Sequence, residues 1–302
     1  MYFCSRKRKL KACMIGVFDS GYGGLTILRE IRKVLPMYDY LYLGDNARAP
    51  YGTRSFEVIY EYTLQAVRYL EGHGCSLIIL ACNTASAKAL RSIQQRDIDP
   101  ERLRVLGVIR PTAEVAPLRT KTGHIGILAT PGTVSSESYV MELYHQNPDI
   151  VVTQQACPMW VPLIEAGEHK HQGADYFVEK YITQLLAKDP KIDTIILGCT
   201  HYPLLLPKIE AFVAGMGIEV MAQGEIVAHS LEDYLRRHAD IAERISRPMA
   251  LPWDEKKAGD PSVLSGERVG KVTYLTTESE EKFVDSASLF LAEPITAHHI
   301  EL

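Results

Sequence analysis

Short, continuous apolar runs recur along the chain: MIGVF (14–18), DYLYLG (39–44), SLIILAC (76–82), RVLGVI (104–109), HIGILAT (124–130), DIVVTQQ (149–155), DTIILGC (193–199), GIEVM (217–221) and KVTYLT (271–276). Runs that are continuous rather than alternating predict strands of a parallel sheet with helices over both faces. Between them apolar residues fall at helical spacing, as at Leu25, Leu28, Ile31 and Leu35, or at Ile59, Tyr62, Ala66 and Leu70. Strand, helix, strand in repetition predicts an α/β fold of doubly wound parallel sheets. Such sheets hold their ligands outside the carboxyl ends of the strands, so candidate chemistry belongs there.

The pattern also repeats. IGVFDSGYGGLT (15–26) aligns with IGILATPGTVSS (125–136), and LIILACNTA (77–85) aligns with IILGCTHYP (195–203). Two similar α/β domains are expected, with a cleft between them and crossings near 107–112 and 210–222. The first would comprise 14–108 plus 222–302, and the second 109–221, behind a tail of residues 1–13. From Val227 the chain is expected to add a strand and the amphipathic helix Glu280–Leu291, which complete the first half. Residues 246–270 mix Pro, Gly and charge without periodicity and read as a surface excursion.

Composition narrows the function classes. The length of 302 residues suits two domains. A formal charge of −4 leaves no basic excess for a nucleic-acid backbone or an anionic bilayer, so the expected partner is a small molecule. No apolar stretch approaches the roughly 20 residues of a membrane-spanning helix. The basic run Arg6–Lys11 is followed by too short an apolar segment for a secretory signal, and the expected location is the cytoplasm. Six cysteines in such a chain are too sparse for a disulfide scaffold.

Three stretches carry candidate chemistry. Asp19-Ser20-Gly21-Tyr22-Gly23-Gly24 follows the first strand and precedes a helix, where glycines let backbone amides approach an anion. Ala81-Cys82-Asn83-Thr84 and Gly198-Cys199-Thr200-His201 each place a cysteine between a strand and a helix, a position that lowers a thiol's pKa and favours the thiolate. Cys75 and Cys157 lack a following helix start with polar neighbours, and Cys4 and Cys13 lie in or beside the tail; all four read as structural or incidental. The absence of a C-x-x-C motif weakens a redox reading. A zinc site would need more ligands than Cys199 and His201. A cysteine hydrolase would leave the second thiol unexplained. Two thiols on opposite faces of a stereocentre have a direct use, since one can remove a Cα proton while the other delivers one. Lys88 has no context marking a pyridoxal phosphate site, so no cofactor and no metal are expected.

At this point the motifs IGVFDSGYGGLTILREI, LGDNARAPYGTRS, ACNTASA, ATPGTV, ACPMWVPLIEAGE and DTIILGCTHYPLL make the chain resemble the glutamate racemases of the aspartate/glutamate racemase superfamily, over roughly residues 14–227 and more weakly 271–291. The resemblance implies cofactor-independent racemisation with Cys82 and Cys199 as the acid/base thiols, supplying D-glutamate to peptidoglycan. It implies that Asp19 assists Cys82, and that Glu165 and His201 assist Cys199. It further implies a glutamate pocket of Asp19, Ser20, Tyr51, Gly52, Asn83, Thr84, Thr200 and His201, with Thr130 and Thr133 as additional candidates, and a possible homodimer. On the residues alone Glu165 reads as a solvated acid. Near 222–228 the acidic-serine-glycine stretch usual in these enzymes is replaced by Ala-Gln-Gly-Glu-Ile-Val-Ala. Two rivals stand beside this reading: an aspartate racemase, and a dicarboxylate-binding or redox module without turnover.

Overall fold

The computed structural model describes residues 14–246, 269–291 and 293–302. The 1–13 tail, with Cys4 and Cys13, and all but the ends of the 246–270 excursion lie outside the described residues. Ten described strands form two wholly parallel sheets. One contains β1 (Met14–Asp19), β2 (Tyr40–Gly44), β3 (Cys75–Leu80), β4 (Arg104–Gly107), β9 (Val272–Thr276) and β10 (Ala297–His299), in the order β10-β9-β2-β1-β3-β4. The other runs β6-β5-β7-β8, from β5 (His124–Ala129), β6 (Val151–Ala156), β7 (Thr194–Gly198) and β8 (Glu219–Met221). The segments β2-β1-β3-β4 and β6-β5-β7-β8 share one topology, which is the structural counterpart of the internal repeat.

The helices are α1 (Gly24–Val34), α2 (Phe56–Gly72), α3 (Asn83–Lys88), α4 (Leu90–Arg96), α5 (Ile109–Val115), α6 (Pro131–Ser135) and α7 (Ser138–Gln146). They continue with α8 (Trp160–Glu165), α9 (Gly173–Lys188), α10 (Leu206–Val213), α11 (Gly224–Arg237), α12 (Ala239–Ser246) and α13 (Glu280–Ala287). All nine expected strands are present. The edge strand β10 escaped the sequence reading because it is three residues long and two of them are histidines. The helix expected at Glu280–Leu291 stops at Ala287, and Phe290 and Leu291 beyond it are buried.

Continuous burial along β1, β2, β5 and β7 follows from helices on both faces of each sheet. Leu25, Leu28 and Ile31 of α1 bury against α11, whose Val227, Ala228, Leu231 and Leu235 form the matching face. The 3.6-residue spacing therefore marked the packed stripe. Two helix starts coincide with candidate site residues. Cys82 caps α3, its sulfur accepting the Ala85 N–H at 3.4 Å, and Thr130 caps α6, its hydroxyl accepting the Thr133 N–H at 3.2 Å.

The loop between β2 and α2 hangs on one carboxylate. Asp45 is fully buried and accepts two bonds from Arg48 Nε, at 2.9 and 2.7 Å, one from the Tyr51 hydroxyl and one from Thr277 Oγ1 at 2.9 Å. The Arg48 guanidinium lies 4.0 Å from the centroid of the Tyr62 ring. Removing one member of a buried ion pair leaves the other charge without compensation, at a cost of about 3 kcal/mol or more. Asp45→Ala should therefore lower the unfolding free energy by about 3 kcal/mol, and Asp45→Asn by less, read from urea denaturation midpoints at constant slope. An Asp45→Ala protein as stable as the parent would show that the loop is anchored elsewhere.

Candidate active site

The first wall of the site is built where β1 and β3 end. Asp19, the last residue of β1, is 1% exposed. Its Oδ2 accepts the Gly21 N–H at 2.9 Å, while its buried Oδ1 has no hydrogen-bond partner among the described residues. Burial raises the Asp19 carboxyl above the usual carboxylate range, against the opposing pull of His201 and of the Gly21 and Gly24 amides. Cys82 lies two residues past β3, and Ser20 Oγ sits 3.2 Å from its sulfur.

The helix start expected to favour a thiolate is present at Cys82, yet burial pushes this thiol up to about 12, with the Asp19 charge adding to the rise. The Ser20 and Ala85 hydrogen bonds oppose that shift without overcoming it. Desolvation of a small anion outweighs the partial charges of a six-residue helix.

The second wall rises from the end of β7. Cys199 follows the strand directly, and its sulfur lies 3.9 Å from His201 Nδ1. The other ring nitrogen, Nε2, lies 2.9 Å from Glu165 Oε1 at the end of α8. Burial alone would lower the His201 pKa, but its hydrogen bonds to Cys199 and Glu165 outweigh that and raise it to about 10. The imidazole is therefore a cation at neutral pH, held between a sulfur and a carboxylate. The Phe290 ring packs perpendicular to it at 5.4 Å between centroids.

Glycine at position 23 is a packing requirement. A Cβ there would come within 2.4 Å of both His201 Nδ1 and Thr200 Oγ1, so the β1 loop of one sheet presses directly on the wall built by the other. Gly132 is similar, with a would-be Cβ 2.7 Å from the Gly52 carbonyl, which accepts the Gly132 N–H at 2.8 Å.

Further bonds tie the walls together. Thr26 Oγ1 donates to the Thr200 carbonyl at 2.9 Å. Thr84 Oγ1 lies 3.0 Å from Thr130 Oγ1 and 3.3 Å from Thr133 Oγ1. Every residue expected in the pocket is thus drawn into one neighbourhood, but two side chains are already committed. The Tyr51 hydroxyl is bound to Asp45, and the Asn83 carboxamide is held at both ends, by Tyr139 OH at 2.8 Å and by Gln223 Oε1 at 2.6 Å.

Asp45, Gln223 and Phe290 are structural members of the site region that motif reasoning passed over. Asp45 stood in the quoted LGDNARAPYGTRS stretch, and Gln223 in the stretch marked only as a departure; nothing local to Phe290 signals its contact with His201. Cys157 directly follows β6 and lies three residues ahead of α8, with Pro158 and Met159 rather than polar residues between, and its thiol donates to the Gln155 carbonyl at 3.6 Å. Cys75 is buried, and its sulfur would lie 3.2 Å from a Cβ at Gly16. A cavity of about 410 Å³ lined by Arg29, Arg119, Glu219 and Gly224 includes neither Cys82 nor Cys199. Among the described residues no group of three or more His, Cys, Asp or Glu side chains is arranged as a metal site, and no helix is long and apolar enough to cross a membrane.

Comparison with known proteins places this geometry. Residues 25–231 match the family described as Asp/Glu/Hydantoin racemase. A glutamate racemase of Chlorobaculum parvum is 41% identical over 77% of this chain and 84% of its own. The crystal structure of a glutamate racemase from Bacillus anthracis superposes with a TM-score of 0.82 at 31% identity, covering 97% of this chain and 98% of that one. That of a glutamate racemase from Francisella tularensis, in complex with D-glutamate, gives a TM-score of 0.79 at 26% identity, covering 95% and 97%.

The titration of this site fixes a pH dependence of stability. The His201 pKa is raised from 6.5 to about 10, so its contribution is fully present below 6.5 and is lost as pH rises through about 10. Between 9.0 and about 12 the folded protein retains the Cys82 proton that the unfolded chain has released, so stability falls there too. Urea midpoints should decline steadily from pH 7 to 10, and Glu165→Gln should flatten that decline. An unchanged slope in Glu165→Gln would remove Glu165 as the partner that charges His201.

Proposed function

The chain belongs to the Asp/Glu/Hydantoin racemase family, and on that premise we propose that it interconverts L- and D-glutamate using two thiols and no cofactor. One observation carries the mechanism: two buried cysteines, Cys82 and Cys199, stand just past the ends of interior strands of two topologically equivalent sheets. Each has its own polar partner, Ser20 on one side and His201 on the other.

Glutamate lies between the walls with Cα facing a sulfur on either side. One cysteine, as thiolate, takes the Cα proton and becomes a thiol. The electron pair left on carbon delocalises into the α-carboxylate, and the opposite cysteine, as thiol, delivers its proton to the other face and becomes the thiolate. The proton count of the enzyme is unchanged and the configuration is inverted. The main-chain amides of Asn83, Thr84 and Thr200 receive the α-carboxylate, where charge accumulates in the transition state. The Gly52 loop and the Thr130–Thr133 segment meet the side-chain carboxylate. Asp19, whose buried Oδ1 makes no hydrogen bond among the described residues, is placed to meet the substrate ammonium.

His201 holds positive charge beside Cys199 whenever that sulfur is an anion, and Glu165 keeps the ring protonated. The Cys82 wall has no cation of its own among these contacts, so the incoming ammonium is the group that lowers the cost of a thiolate there. Walls tied by Thr26, Thr84 and Gly132 exclude water and strengthen these interactions. Free thiols persist in a reducing compartment, and we place the enzyme in the cytoplasm, where its D-glutamate enters peptidoglycan.

Incubation with L-glutamate in D₂O should give loss of optical rotation together with deuterium at Cα, and L-aspartate should react far more slowly. Rotation lost without deuterium uptake would rule out exchange through two solvent-equilibrated thiols. Cys82→Ala and Cys199→Ala should each reduce kcat by at least about a thousandfold, since each removes an obligatory proton-transfer group whose individual contribution is about 10²–10⁴. A racemase still active as the double mutant would refute the mechanism.

A further inference from the structure

Gln223 lies in the stretch between β8 and α11, outside every motif that identified the site, and it is 2% exposed. A buried carboxamide must satisfy both its ends, and the way this one does so is informative. Its Oε1 accepts from Asn83 Nδ2 at 2.6 Å, and its Nε2 donates to the Tyr139 hydroxyl at 2.7 Å. That hydroxyl in turn donates to Asn83 Oδ1 at 2.8 Å, which closes a ring of three side chains. Gln223 Nε2 also lies 3.1 Å from both the Val108 carbonyl and Thr112 Oγ1.

The ring has one sense only. Turning the Gln223 carboxamide over would set its oxygen against the Val108 carbonyl and its NH₂ against that of Asn83. A closed cycle of donors polarises its own bonds, so the three members act as a unit. Its position matters as much as its chemistry. Asn83 is the residue after Cys82, Tyr139 belongs to α7, and Val108 and Gln223 lie on the two chain segments that pass between the sheets. The ring therefore ties the backbone beside one reactive thiol to the segments that join the two halves.

We propose that Gln223 is a positioning residue for racemisation: through Asn83 it sets the placement of Cys82 relative to the opposite wall. This rests on the two-thiol reading above. Among the described residues Gln223 makes no hydrogen bond to a thiol, and its effect is transmitted through the Asn83 side chain, whose described hydrogen bonds both lie within the ring.

The test is Gln223→Met, which keeps the volume and removes the ring, assayed with L- and D-glutamate and with their α-deuterated forms. Free L- and D-glutamate are equal in energy, so kcat/KM must fall equally for both, by about tenfold if one buried hydrogen-bond unit is lost from the transition state. The distinguishing readout is the isotope effect. If the Cys82 transfer is the impaired step, the α-deuterium effect rises for the enantiomer deprotonated by Cys82 and falls for the other. Wild-type kinetics, or slower turnover with both isotope effects moving together, would overturn the proposal. Should Gln223→Met fail to fold, Tyr139→Phe breaks the same ring from the other half and must show the same opposed shifts. Cys82→Ala, assayed alongside, separates the two failures. If it still racemises, the two-thiol reading falls; if it is inactive while Gln223→Met is unaffected, only this proposal falls.

Discussion

Taking an ionisable group out of water disfavours its charged form, and both walls of the cleft are organised around that penalty. Asp19 and Cys82 bear it directly: the carboxyl and the thiol are both raised, and neither has a cation beside it within its own wall. On the other wall the penalty falls on His201 and is overcome by Glu165 and Cys199. Burial thus favours the neutral forms of the groups on one wall, while the other holds the His201 imidazolium. A weakly acidic Cα–H can be removed only once a thiolate exists in this dry space. On the mechanism proposed above, the substrate's ammonium lowers the cost of one beside Asp19 and Cys82, so binding and activation become one event.

The same penalty explains why the region is crossed by so many hydrogen bonds. Buried hydroxyls and amides cannot be left without partners, and where two sheets meet the nearest partner is often on the opposite sheet. Thr26 to Thr200, Thr84 to Thr130 and Gly132 to Gly52 are all of this kind. Each keeps polar atoms satisfied while holding the walls at a spacing suited to a small molecule. Gly23 reports how close that spacing is, since no side chain at all can be accommodated between the first loop and His201.

Much of this was legible in the residues. Continuous apolar runs identified a parallel fold, and the strand-end positions of Cys82 and Cys199 were legible as well, because burial on both faces and position at a strand terminus each leave a local mark. What could not be read locally was the partnership between distant segments. Glu165 looked solvated until its oxygen was found on His201, 36 positions away. Tyr51 and Asn83 were counted as pocket residues by motif, but their polar ends are turned to Asp45, Gln223 and Tyr139. The thiolate expected at Cys82 failed for a related reason: the helix start is a local feature, whereas desolvation is the sum of everything that packs above it.

The unlike neighbours of the two sulfurs carry a kinetic consequence. On the two-thiol mechanism proposed above, each turnover moves a proton from one cysteine to the other, so the free enzyme has two protonic isomers, one competent toward each enantiomer. Mirror-image substrates forbid the protein from biasing the final mixture, yet nothing requires the two isomers to be equally populated. Burial and the Asp19 charge, against the opposing Ser20 hydrogen bond, hold the proton on Cys82. The enzyme at rest is therefore handed, and resetting that hand between turnovers is a step in its own right, separate from the chemistry on carbon.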